Sequence, residues 1–194
     1  MINKIRTFRL STQGYVLLAL GILVGAAVIE LMMGRVPICT CGYIKFWEGA
    51  INSSGNSQHL TDFYTFSHII HGFVFYGVLW LLRKRLPLRF RFLIALLIEV
   101  GWEILENTPM VINHYRSTTI SLDYYGDSVL NSISDILSMT LGFVLAMRMP
   151  VWVTIGLIII MEITVGYLIR DNLTLNIIML LYPLESIKTW QMGG

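Results

Sequence analysis

GWEILENTPMVINHYRSTTISLDYYGDSVLNSISD, residues 101–135, places Glu103, Glu106, His114, Arg116, Asp123, Asp127 and Asp135 between two apolar segments. Charge at membrane depth is costly unless it is paired or hydrated, so such a stretch must return something in structure or function. The 194 residues are 55% hydrophobic and 13% charged, with a mean hydropathy of +0.67. Soluble domains carry about 25% charged residues. The composition therefore predicts an all-α, polytopic membrane helical bundle, one integral membrane domain over residues 1–194. A net charge of +2, dispersed along the chain, excludes a nucleic-acid-binding surface.

Outward from the quoted stretch, apolar runs set the topology. Toward the N-terminus, a third span is expected from Phe92 to Asn107, ending before Pro109, which disfavours helical geometry in Thr108. The second runs from Phe63 to Leu82, with Asp62 placed to cap it, and the first from Tyr15 to Met33 behind the basic Lys4, Arg6 and Arg9. No small-residue cleavage site follows the first run, so it reads as an uncleaved span. Toward the C-terminus, a polar connection over residues 108–126 leads to a fourth span, Asp127 to Met147, and a fifth, Val151 to Ile169. The run Leu173 to Tyr182 falls short of the roughly 20 residues needed to cross, so a partial or interfacial helix is expected there. In the polar segment Gly34 to Asp62, Cys39 and Cys41 cannot make a disulfide framework, and one intervening residue strains a mutual bridge. They read as ordinary loop cysteines, with a metal or redox role as the alternative.

Charge gives the orientation. Lys4, Arg6, Arg9, Arg83, Lys84, Arg85, Arg89, Arg91 and Arg148 fall in segments that are cytoplasmic if the N-terminus is, as the positive-inside rule asks, and no acidic residue joins them. The expected location is a bacterial inner membrane, with the polar stretch facing the periplasm.

Helical spacing sharpens the polar stretch. Glu99, Glu103 and Glu106 share one helical face, Asp127, Asn131 and Asp135 a second, and His68 and His71 a third. Glu30 and Glu162 add carboxylates in the outer halves of the first and fifth spans. Polar faces in lipid turn inward, so the three should meet as walls of an outward-facing cavity. Polar side chains also serve as plain helix-to-helix glue, but glue needs no surplus of carboxylates over histidines.

Two chemistries suit such a cavity. His68 and His71, with Glu103 as third ligand and Asp127 or Asp135 nearby, have the residue types of a zinc-like divalent metal site with a position left for water. Without a metal, Glu103, Asp127 and Asp135 can divide acid and base roles, with His71 moving protons. The substrate expected at that depth is amphipathic: a phospholipid, a lipid-linked sugar carrier or a lipoprotein. Arg116 and His114 are candidates to hold its phosphate, and Asn131 and Glu106 are further candidate contacts. Membrane lipids are the expected partners. The alternatives are a scaffold for another membrane protein, and a small transporter whose path a homo-oligomer would have to complete.

The stretches GWEILENTPMVINHYR and TISLDYYGDSVLNSISDIL resemble a bacterial membrane family known as uncharacterised protein family 0314, which is also a domain-of-unknown-function family. The resemblance covers most of the chain and implies a multi-pass inner-membrane protein, with no activity to carry over.

Overall fold

The computed structural model describes residues 11–193, so Lys4, Arg6 and Arg9 lie outside it. Its helices are α1 (Thr12–Met32), α2 (Thr65–Trp80), α3 (Leu88–Glu106), α4 (Pro109–Thr118), α5 (Val129–Arg148), α6 (Val151–Ile169), α7 (Leu173–Leu181) and α8 (Glu185–Gln191). Among the described residues no strand forms beyond one isolated bridge, Trp47 to Thr61. The expected all-helical bundle is found. By length and composition α1, α5 and α6 can cross a membrane. Val16, Leu17, Leu20 and Val24 of α1, and Ile155, Ile159, Ile160 and Ile163 of α6, are left exposed, as the faces of lipid-facing helices are.

Three local expectations are corrected. Residues 108–126 are not simply a polar connection, because α4 occupies their first half. Thr108 is extended, as the proline demands, but its side chain accepts from Val111 N–H while Pro109 takes the first helical position. Proline there gives up an amide that has no partner anyway, so the residue that ends α3 also starts α4. The fourth span starts not at Asp127 but at Val129, as α5, after Ser128, whose side chain caps the helix by accepting from Asn131 N–H. The sulfurs of Cys39 and Cys41 are joined to each other.

The tightest helix contact is between α2 and α5. Thr65 meets Asp135 toward the starts of the two helices and Tyr76 meets Phe143 farther along, so the two run side by side in the same direction. A Cβ added at Gly72 would stand 2.1 Å from the Met139 carbonyl oxygen, and one at Gly142 would stand 2.1 Å from that of Ile69. Small residues in membrane helices allow this approach, because association rests on packing rather than on expulsion of water. Below it Ala95, Leu96, Ile136, Met139 and Phe143 form a closed apolar core.

Segment 34–62 seals the other end. The carbonyls of Ser57, Val36 and Pro37 accept from the amides of Ser128, Val129 and Leu130, satisfying donors that the start of α5 cannot pair internally. Gly72→Ala or Gly142→Ala should each lower stability by about 1–3 kcal/mol through overpacking. Gly77→Ala, with nothing within 4 Å, should be neutral or stabilising. Thermal unfolding in detergent measures all three.

Candidate functional site

The α2–α5 approach brings three polar faces together above the apolar core. His68 and His71, one turn apart on α2, both turn Nδ1 to one carboxylate of α3. Glu99 Oε1 is 2.7 Å from His68 Nδ1, and Glu99 Oε2 is 3.1 Å from His71 Nδ1. Glu103 Oε1 lies 3.3 Å from His68 Nδ1 and Asp135 Oδ2 lies 3.9 Å from His68 Nε2. Thr65 Oγ1 is 3.4 Å from Asp135 Oδ1. A nitrogen of each histidine and an oxygen of Glu99 all fall within 4.8 Å of one another, a spacing that suits one small cation.

Above them Asn107 ties α3 to α5. Its Nδ2 donates to Asp127 Oδ2 at 2.8 Å and is 3.3 Å from Ser132 Oγ, and its Oδ1 accepts from Asp127 N–H at 2.7 Å. Gly126 makes this turn feasible: its φ is +92°, and a Cβ there would stand 2.0 Å from Arg35 Nη1.

A cavity of about 380 Å³ opens over this layer. His68, His71, Glu106, Asp127 and Asp135 supply its ionisable lining, while Val74, Phe75, Ile98, Trp102, Leu173 and Ile177 line it with apolar surface. Among the described residues no lysine or arginine lines it. A second, more polar chamber of about 300 Å³ includes Arg35 and shares Asn56 and Asp127 with the first.

The candidates from sequence are distributed unevenly. His68, His71, Glu106, Asp127 and Asp135 line the cavity. Glu103, only 1% exposed, sits behind His68, and Asn131 donates to the His59 carbonyl oxygen away from the cavity. His114 Nε2 is 3.0 Å from the Leu180 carbonyl oxygen, and Arg116 donates to Leu122 O and Tyr125 OH, so neither lines the cavity. Glu162 is occupied elsewhere: its carboxylate accepts from Leu173 N–H, Thr174 N–H and Thr174 Oγ1, where an acid favours the start of α7. Glu30 is fully buried and neither of its oxygens has a hydrogen-bond partner among the described residues.

Sequence reasoning passed over three contributors: Glu99 as the bridge between the histidines, Asn107, and the α7 wall. A signal for Glu99 existed. In an antiparallel α2–α3 pair the end of α3 meets the start of α2, so Glu99, the carboxylate farthest from that end, falls level with His71 in the second turn of α2.

Just beyond α6, Tyr64 OH donates to Asp171 Oδ2 at 3.0 Å, and Asn172 N–H and Gln191 Nε2 of α8 donate to Oδ1. Burial raises Asp171 to about 6, against the opposing pull of the Tyr64 hydroxyl.

Residues 30–193, which contain every side chain of the cavity, match the model of a family described as a protein of unknown function, DUF2585. A UPF0314 protein of Rhizobium etli strain CIAT 652 is 56% identical, covering 96% of each chain. One of Sinorhizobium fredii is 57% identical over 94% of this chain and 93% of its own. A UPF0314 protein of Sphingopyxis alaskensis is 51% identical over 90% of this chain and 96% of its own. The resemblance drawn from the two quoted stretches is therefore borne out. No solved structure matches.

Asn107→Ala should cost about 2–3 kcal/mol, since it leaves the buried Asp127 amide and carboxylate unpaired; chemical denaturation checks it against Asp123→Asn, on the exposed side of the same connection. Asp171 carries a raised folded value, so its contribution to stability is complete below its unfolded value of 3.8 and is lost as pH rises through about 6. The melting temperature should therefore fall between roughly pH 4 and 7 through this group, and Asp171→Asn should flatten that part of the profile.

Proposed function

We propose that this chain, which belongs to the DUF2585 family of proteins of unknown function, is an enzyme of the bacterial inner membrane that hydrolyses or transfers a group on a lipid or lipid-linked substrate. The N-terminus is cytoplasmic in this reading and the cavity opens to the periplasm. The observation that carries it is the make-up of one cavity, in which two histidines and three carboxylates share the lining with a run of apolar side chains. That pairing suits an amphipathic molecule whose chain lies along Phe75, Ile98 and Ile177 while its polar bond reaches His71 and Asp135.

Within this reading His71 is the proton carrier. Its Nδ1 is held by Glu99, which orients the ring and leaves Nε2 to exchange a proton with water or with a substrate oxygen. Asp135, Asp127 and Glu106 crowd negative charge around the cavity without a lysine or arginine, which favours sharing of protons between them. The donor set His68, His71 and Glu99 fits a zinc-like divalent ion, and Glu103 stands 3.3 Å from the same His68 nitrogen. Bound there, such an ion would supply an activated water. The apolar core of Leu96, Met139 and Phe143 beneath the site speaks against a path for solutes through one chain.

Two measurements test the reading. In a deletion strain complemented with Asp135→Asn or Glu103→Gln at wild-type protein levels, an accumulated lipid or lipid-linked precursor should appear that wild type removes; full rescue by both variants would sink the catalytic reading. Metal analysis of purified protein should find near-stoichiometric divalent metal in wild type and at least tenfold less in His68→Ala combined with His71→Ala. Equal trace content in both removes the metal and leaves the acid–base reading to the lipid experiment.

A further inference from the structure

At the end of the bundle opposite the cavity, Arg91 is the odd residue. It lies in the first turns of α3, is only 7% exposed, and its Nε and Nη1 have no hydrogen-bond partner among the described residues. The neighbouring basic side chains are disposed differently: Arg83 stacks over the Trp80 ring at 3.3 Å, and Arg89 lies 5.9 Å from the Tyr15 ring. Arg91 reaches only the Tyr76 ring, at 6.0 Å, the outer limit of a cation–π contact. A guanidinium withdrawn from water needs a counter-charge as well as acceptors for its donors.

The chain has no acid to offer at that end. None of its acidic residues falls in residues 1–29, 63–98 or 136–161. The nearest acid along α3 is Glu99, eight residues and about 12 Å farther up the helix, and it is held by the two histidines. The surrounding residues Arg83, Lys84, Arg85, Arg89 and Arg148 only add positive charge. Arg91 also stands one turn inside the start of α3, where Pro87 provides no side-chain cap; its carbonyl takes the Phe90 and Arg91 amides, and the Leu88 and Arg89 amides are left without an acceptor one turn back. Helical side chains lean toward their own N-terminus, which puts those two amides on the side toward which a residue at position 91 inclines.

We propose that Arg91 and the first turn of α3 form a binding site for a phosphate group at the basic end of the bundle. A planar fork of N–H donors beside a helix N-terminus is chemistry suited to a phosphate oxyanion. Two sources carry that group to this surface: the headgroup of an anionic phospholipid, and free phosphate in solution. The site is independent of the cavity and of the reaction proposed for it.

The test uses the full chain, as wild type, Arg91→Gln and Arg91→Lys, with thermal unfolding as the readout. One arm compares nanodiscs of phosphatidylglycerol with nanodiscs of phosphatidylcholine. The other compares inorganic phosphate with chloride at equal ionic strength in detergent. Wild type should gain several degrees in at least one arm, and that arm identifies the source. Arg91→Gln should lose at least half of the gain, while Arg91→Lys, a point charge without the fork, should keep part of it. The other basic residues are common to all three proteins, so diffuse attraction cancels in the comparison. No gain in wild type in either arm, or equal gains in wild type and Arg91→Gln, overturns the proposal. Failure of Arg91→Gln to fold in lipid-free detergent also overturns it, because removing an uncompensated buried charge should leave the ligand-free protein no less stable.

Discussion

The close approach of α2 and α5 at Gly72 and Gly142 is the constraint from which the rest of the bundle follows. Gly72 lies one helical turn beyond His68, and Gly142 lies two turns beyond Asp135. Fixing the two glycines against opposing carbonyls therefore fixes where the polar residues above them stand. Once His68 is set beside Asp135, its second ring nitrogen needs a partner, and α3, packed antiparallel to α2, supplies Glu99. Below the glycines the same close packing shuts the bundle with Met139 and Phe143. Backbone proximity at one level thus produces an open polar layer above and a sealed apolar layer beneath.

The cavity end of the bundle is finished by segments that are individually weak. Residues 34–62 make no helix, yet their carbonyls complete the start of α5, and the Asn107 side chain does the same for the turn that enters it. Glu162, which looks like one more cavity carboxylate when its depth alone is considered, instead anchors α7 by accepting from its first amides. That anchoring brings Leu173, Asn176 and Ile177 against the cavity as a wall. The short tail helix thereby shapes a cavity whose histidines and carboxylates come from elsewhere in the chain.

Much of this was legible in the sequence because helical geometry is local. Residues three and four apart share a face, so the groupings Glu99–Glu103–Glu106, Asp127–Asn131–Asp135 and His68–His71 could be read directly, and the rule that polar faces avoid lipid predicted that they would meet. Which member faces which is a tertiary matter. Spacing does not say that Glu99 rather than Glu103 lies between the histidines, nor that Asn131 turns to the His59 carbonyl. Charge alone draws Arg116 and His114 toward the site, whereas the structure sets His114 against the Leu180 carbonyl of α7 and gives Arg116 the Leu122 carbonyl and the Tyr125 hydroxyl. The missed α4 has a different cause: Pro109 was read as the end of one helix, although the first position of a helix is where proline fits best.

The central claim is that these three faces line a water-accessible cavity open at one side of the membrane. Thiol labelling tests it most directly, in a chain with Cys39 and Cys41 replaced by serine and one new cysteine at Ser67, on the cavity wall, or at Met139, in the core. On intact spheroplasts, a membrane-impermeant maleimide should label Ser67→Cys from the outer face and leave Met139→Cys untouched. A Ser67→Cys protein that stays unlabelled from outside, or reacts only from the inner face of inverted vesicles, would contradict the account.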